Sequence, residues 1–508
     1  MERFLAKHRD ATTGTLSCFD RLLIKGHLPL GYPRAMEEFL DRHGVLFKQL
    51  KPFVLRQAER LKVHARAVAA HAGRPWEYLE GPVRKDQHAR AIAARDGVTE
   101  GLVCVFGTIE PCRSFRLAYQ HGRPAIRPAR RKCLFLYFYF VDREFGFLHV
   151  RLQTWFPFTI QVYVNGHEWL ARQLDRRGLR YRRLDNAFMW LEDPARAQRL
   201  ADRFAILKWP ARLDTLARRV NPLLGDLLAS YRSDWATNQA EYATDVFFKN
   251  RPALRDLYPR RLRHATLCLS AEDVLTFLGR KLHGRFAGEV LNEWKQRWPG
   301  ARVKHWMKEN WIKMYDKHGC VLRVETVINN PYEFKVRRRA GRRGHRVLGW
   351  YPLPKGVAFL PRYVVVSATA NQRYLDALAV VDNPARAYQA LDRLAHPVRD
   401  AHGRSQRAFN PAAGADLQLF ETVLRGEHLL HGFRNRDLRQ RLFGSTRADR
   451  QQSARVLRLL TRLHVRGLIA KIPRSRRWRV TQLGHAVMSA AVRLRDEQFP
   501  EAFLKEAA

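Results

Sequence analysis

The chain has 508 residues, and its 92 lysines and arginines stand against 48 aspartates and glutamates, a formal charge of +44. An excess of that size cannot be folded out of sight, so a polyanion is the expected partner, because each neutralised phosphate releases condensed counterions. A 46% hydrophobic share with 11% aromatic residues excludes a disordered basic tail, and without a long apolar span, a signal-peptide pattern in MERFLAKHRD or a lipidation motif, nucleic acid is expected rather than a membrane.

Length suggests roughly three or four domains. The first 100 residues read as mainly helical: Thr15 to Leu30 is a candidate strand pair containing Asp20, and Arg34 to Ala70 carries helical apolar spacing through Phe39, Leu40, Leu46, Phe47, Leu50, Phe53 and Leu61. Residues 101–209 read as an antiparallel core. Leu134 to Val141 (LFLYFYFV) is apolar enough for a strand covered on both faces. In the next strand Leu148, Val150 and Leu152 alternate with His149, Arg151 and Gln153, so one face of the sheet is wet. Ile160, Val162 and Val164 continue the alternation before Asn165-Gly166 opens a helix; a strand-like stretch at 181–191 and a helix at 195–204 complete a β-meander with helices, an α+β arrangement.

Residues 210–300 read as helical and 301–395 as a β-hairpin region with a basic loop. Trp311 to Lys317 and Val321 to Ile328 alternate, and a three-residue loop His318-Gly319-Cys320 sets Met314 opposite Val324, Ile312 opposite Thr326, Lys313 opposite Glu325 and Tyr315 opposite Arg323. Lys335 to Arg346 lacks apolar periodicity and reads as a basic loop in which Arg337, Arg338, Arg339, Arg342 and Arg343 meet phosphate. A helix at 368–381 and a linker at 396–414 lead to the last module, 415–508.

In that module Asp416 to Arg425 has helical spacing, and Asn435 is a candidate cap for a second helix, Arg436 to Phe443. In RQQSARVLRLLTRLHVRG, Val456, Leu459, Leu460 and Leu463 form one face while Arg455, Arg458, Arg462 and Arg466 lie along another. Gly467 ends this third helix, and two strands flank a basic turn, giving a wing with Lys471, Arg474, Arg476, Arg477 and Arg479, followed by a helix near Leu483 to Arg493. The ordered pattern, with RWRVTQLGHAVM at the wing-to-helix passage, resembles MarR-like winged-helix domains over about the last 95 residues. The resemblance implies that the third helix enters the major groove, making Gln451, Gln452, Arg455 and Arg458 its readers, with Arg462 and the wing on phosphate.

The cysteines at 18, 104, 112, 133, 268 and 320 form no CxxC pair and the histidines no HExxH, so neither a zinc site nor a disulfide framework is indicated and a reducing cytoplasm is expected. GxxxxGK(S/T), GxSxG and GxGxxG are all missing. The chemistry that suits DNA is phosphodiester transfer, requiring carboxylates for Mg2+ or Mn2+ or a nucleophilic tyrosine. Asp20, then Asp142 with Glu144, then a helical pair Glu241 and Asp245 are similar to the strand, strand, helix carboxylate order of RNase H-like nucleases and transposases. IKMYDKHGCVLRVET resembles the YDK–RxE hairpin of rolling-circle replication initiators, which implies Tyr315 as nucleophile, although that family's paired-histidine metal motif has no counterpart nearby.

Across most of its length the chain resembles a family of uncharacterised bacterial proteins carrying RKCLFLYFYFVDREFGFLHVRLQTWFPF, IKMYDK and a terminal winged helix, with the character of mobile-element genes. The expected protein is therefore multidomain and α+β, docking on DNA through its C-terminus. A regulator without enzymatic activity, or an RNA-binding ribonucleoprotein component, is the alternative.

Overall fold

A computed structural model of the chain describes residues 1–120, 123–267, 271–280, 290–297, 300–342, 345–379, 391–392, 394–411, 413–428, 432–444, 450–473 and 475–495. The fold is mixed α/β with a large mixed sheet. Residues 16–242 and 328–365 form one compact unit, called here the sheet unit; residues 1–15, 243–327 and 366–508 form the other, the terminal unit.

The sheet unit is built on β1 (Thr12–His27), β2 (Trp76–Tyr78), β3 (Gly101–Gln120), β4 (Arg123–Asp142), β5 (Gly146–Gln153), β6 (Ile160–Val164) and the start of β9 (Asp234–Phe248), in the order β9-β1-β6-β5-β4-β3-β2. From β1 through β3 the pairings are antiparallel, as the expected meander requires, and β2 adds a parallel edge to β3. Ile24, Val162, Val150 and Phe138 form the fully buried layer of one face. On the other side of the pleat, α4 (Lys85–Arg95) places Ala89 and Ile92 against Cys104, Phe106, Tyr137 and Tyr139.

Asn165 caps α5 (Gly166–Asp175) by accepting from the His167 and Glu168 amides. Gly166 is required there because an added Cβ would meet the Phe19 carbonyl oxygen at 2.3 Å. The stretch at 181–191 is a hairpin of β7 (Tyr181–Leu184) and β8 (Ala187–Leu191), and α6 (Pro194–Asp202) follows.

In the terminal unit, β10 (Val290–Arg297), β11 (Gly300–Met307), β12 (Asn310–Lys317) and β13 (Val321–Ile328) run in that order to β9. The β12–β13 register is the expected one, with Met314 opposite Val324 and Lys313 opposite Glu325. Ile312, Met314, Leu322 and Val324 join a core with Phe4, Tyr258, Leu375 and Leu378, which α8 (Arg251–Leu267) and α10 (Leu360–Ala379) help to form. A second core gathers α11 (Gly414–Val423), α12 (Asn435–Phe443), α13 (Arg450–Val465), β18 (Ile469–Lys471), β19 (Trp478–Val480) and α14 (Gln482–Arg493) around Phe420, Leu438, Val456, Leu460, Leu463 and Met488.

Four expectations need correcting. The candidate strand pair at Thr15 to Leu30 is one continuous strand, β1, paired to β6 through Leu22↔Val164 and its neighbours, with no turn at its centre. Residues 210–300 contain β9 and β10, so Glu241 and Asp245 lie on a strand; a separation of four puts two residues on one face of either a helix or a strand, and that spacing cannot tell them apart. Lys335 to Arg346 is no loop but most of the hairpin β14 (Lys335–Arg342) and β15 (His345–Pro352), held by cross-strand pairs from Lys335↔Pro352 to Arg342↔His345. Finally, Asn435 is the first helical residue rather than the cap: Asp437 accepts from the Arg434 amide at 2.7 Å, and Asn435 Nδ2 donates to the Ser453 carbonyl.

Candidate functional site

The polar face expected from His149, Arg151 and Gln153 is covered rather than wet, since His149 and Gln153 are buried and Arg151 is half-buried, and His149 and Arg151 line a cavity of the sheet unit. Register builds it: Leu23, Tyr163, His149 and Tyr139 form one row across β1, β6, β5 and β4, and Lys25, Gln161, Arg151 and Tyr137 form the next. Residues 83–87 join these rows around a volume of about 620 Å³. Glu110 accepts from Tyr137 Oη at 2.7 Å and Arg151 at 2.5 Å and pairs with Lys85 at 3.1 Å. Burial opposes charge on Glu110, but the Tyr137 hydrogen bond and the two cations overcome it and hold its carboxyl below the ordinary range.

Asp86 accepts from Tyr139 Oη at 2.7 Å. His149 stacks on Tyr163 with ring centroids 5.1 Å apart and planes 9° from parallel. Its Nδ1 stands 3.5 Å from Asp86 Oδ1 and is a buried atom without a hydrogen-bond partner. Burial pushes His149 down to about 4, so the ring is neutral at pH 7. Lys25 is lowered by burial and then by Arg113, Arg151 and Lys355, the mark of a cation-rich neighbourhood. Tyr137 and Tyr139 escaped the sequence reading because LFLYFYFV looks covered on both faces; their hydroxyls, which need partners when buried, were the available signal.

The carboxylates expected to do chemistry are dispersed. Asp142 accepts from the Glu144 and Phe145 amides, and Glu144 is forked by Arg212 at 3.0 and 3.2 Å, so both are engaged in a turn and an ion pair. Neither belongs to a group of metal-donor side chains among the described residues. Asp20 and Glu241, both buried in the sheet unit, bring carboxylate oxygens, the donors a hard divalent cation takes, within 4.8 Å of each other; Asn186 donates to Asp20 at 2.7 Å. In the terminal unit Tyr315 donates to buried Glu325 at 2.7 Å, Lys313 pairs with the same carboxylate at 2.9 Å, and Asp245 takes both arms of buried Arg323 at 2.6 and 2.7 Å.

On α13, Arg455, Arg458 and Gln451 are exposed, Gln452 is half-buried, and Val456, Leu460 and Leu463 are buried. Arg462 departs from the expected phosphate-facing row. It donates to the Arg407 and Ala408 carbonyls at 3.2 and 2.7 Å and lies 4.0 Å over Phe409, while Arg466 donates to the carbonyls of Arg462, His396, Gln406 and Arg407, that of His396 at 3.0 Å. Both arginines are packing elements, because α13 turns them towards residues 396–409. On the β18–β19 hairpin Lys471, Arg476 and Arg479 are exposed, whereas Arg477 donates to the Gly432 carbonyl; Arg474 lies outside the described residues.

On the β14–β15 ribbon, exposed Arg337 and Arg339 stand opposite Trp350 and Leu348, themselves 68% and 52% exposed. Arg338 instead donates to the Pro352 carbonyl; Arg342 ends β14, and Arg343 lies outside the described residues. Cys18, Cys104, Cys112, Cys133 and Cys320 are free thiols, and among the described residues no helix is long and apolar enough to cross a membrane. In comparison with known proteins, no family model, no curated protein and no solved structure matches the chain.

Proposed function

We propose that this chain is a nucleic-acid-binding protein that docks on duplex DNA through a C-terminal winged helix of MarR-like type, with α13 in the major groove and the β18–β19 hairpin on the adjacent backbone. The observation that carries the reading is the division of α13: its apolar side is consumed by the module's core, and its outer side offers Arg455 and Arg458 beside a hairpin with three exposed cations. DNA processing by a mobile-element protein is the enzymatic form of the same reading, with Asp20 and Glu241 holding Mg2+ or Mn2+. Replacing Arg455 and Arg458 by Ala tests the docking: affinity for preferred duplexes falls by ~1–3 kcal/mol per lost base contact and sequence preference changes. Unchanged binding across a panel of duplexes overturns it. RNA binding is the second reading, favoured by the ribbon, where solvent-exposed Trp350 beside Arg337 offers a stacking surface for an unpaired base.

A further inference from the structure

The cavity on the sheet unit is built for a ligand, and three features describe it. The first is charge. Arg21, Arg84, Lys85 and Arg151 line it against Asp86 and Glu110, and Glu110 is already shared between Lys85 and Arg151. Four cations against two carboxylates, one of them already shared by two of the cations, leave room for an anion. The second is an unsatisfied polar atom. His149 is 8% exposed, its neutral ring is fixed by the stack on Tyr163, and Nδ1, 3.5 Å from Asp86, lacks a hydrogen-bond partner in a cavity lined by donors. A native protein seldom leaves such an atom buried without a use, because its desolvation costs about 1–3 kcal/mol. Arg151 Nε is a second such atom on the same wall.

The third feature is size and lining. About 620 Å³ is far more than a phosphate fills and suits a ligand of nucleotide dimensions. Beyond the cations the wall offers Leu23 and Val83 for a flat apolar surface and Gln87 and Gln161 for hydrogen-bonding edges.

We propose that this cavity binds a nucleoside monophosphate, its phosphate between Arg21, Arg84 and Arg151 and its base along Leu23, Val83 and the glutamines. The same chemistry has two sources, a free nucleotide or the phosphorylated end of a nucleic-acid strand. Neither depends on duplex docking by the C-terminal module.

Calorimetric titration of the full chain, freed of copurified nucleic acid, separates the outcomes. The probes are AMP, adenosine, inorganic phosphate, and a short single strand with either a 5′-phosphate or a 5′-hydroxyl. AMP saturates one site, and adenosine binds at least about tenfold more weakly, the least expected for losing charge-assisted hydrogen bonds. Arg21→Gln with Arg84→Gln lowers AMP affinity by about tenfold or more on the same reasoning, and both residues are exposed enough for the fold to survive. His149→Phe keeps the ring stack and weakens AMP as well. Arg455→Ala with Arg458→Ala leaves AMP binding unchanged. A 5′-phosphorylated strand that outcompetes its hydroxyl twin identifies a strand end as the source; equal twins, with AMP saturating, identify the free nucleotide. The proposal is overturned if neither AMP nor the 5′-phosphate produces saturable binding, or if the Arg21/Arg84 double variant binds AMP as the wild type does.

Discussion

Replacing Lys471, Arg476 and Arg479 together by Ala tests whether the β18–β19 hairpin meets phosphate in the proposed complex with DNA. All three are exposed, and they stand out from a hairpin whose backbone pairs Ile469 with Val480 and Ala470 with Arg479, so their removal leaves the strands intact. The α13 helix and the hairpin expose six described Lys and Arg side chains: Arg450, Arg455, Arg458, Lys471, Arg476 and Arg479. If each neutralises one phosphate, this module gives a log–log salt slope of about −5.4, at about −0.9 per contact on B-form DNA. The triple variant keeps half of the contacts, so its slope is about −2.7. Raising salt from about 50 to about 200 mM then costs the wild type ~2000-fold in affinity and the variant only ~40-fold. Fluorescence anisotropy with a labelled duplex across that range measures both slopes. Arg462→Ala is the internal control: its guanidinium is spent on the Arg407 and Ala408 carbonyls, so it lowers stability and leaves the slope alone. A triple variant whose slope matches the wild type refutes the assignment of the hairpin to phosphate.

Asp245→Ala strips both hydrogen-bonded carboxylate oxygens from Arg323, whose side chain is 0% exposed, and should cost ~3–5 kcal/mol in a urea melt; a loss below ~1 kcal/mol would show that the pair is not a structural anchor. Gly484→Ala places a Cβ 1.9 Å from the Leu468 carbonyl oxygen, so α14 must shift and stability falls by at least ~1–3 kcal/mol, which the same melt detects. His149 gives the pH dependence. Its pKa is about 4 when folded against 6.5 for the free side chain, so the unfolded chain protonates first and the stability it contributes is lost as pH falls from about 6.5 towards 4. The urea midpoint of His149→Phe should therefore fall less than that of the wild type between these values, and equal declines would contradict the burial of a neutral imidazole.

What the sequence revealed was local. The β12–β13 register followed from matching Met314 with Val324 across a three-residue loop, and the polar face of β5 followed from His149, Arg151 and Gln153 alternating with apolar neighbours. The order of helices and hairpin after residue 414 was legible because α13 and α14 carry clear apolar stripes and Gly467, at φ 68°, marks the end of α13. Distant pairings were not legible. That β1 pairs β6 is settled by contacts as far as 142 residues apart, such as Leu22 with Val164, and a single sequence contains no register for them. The same limit hid Lys85 and Asp86, which reach the cavity from a segment well before β4 and β5. Arg462 and Arg466 show a different failure: helical periodicity identifies a face, but whether that face meets solvent or residues 396–409 depends on where the preceding chain runs.

The most direct test of duplex docking is a photo-crosslinking side chain placed at position 458, on the exposed side of α13, in the full chain saturated with labelled duplex. The account predicts a crosslink to a base in the major groove, competed by unlabelled duplex and lost at high salt. A chain shown by mobility shift to be saturated with duplex, yet giving no crosslink from position 458, would contradict it.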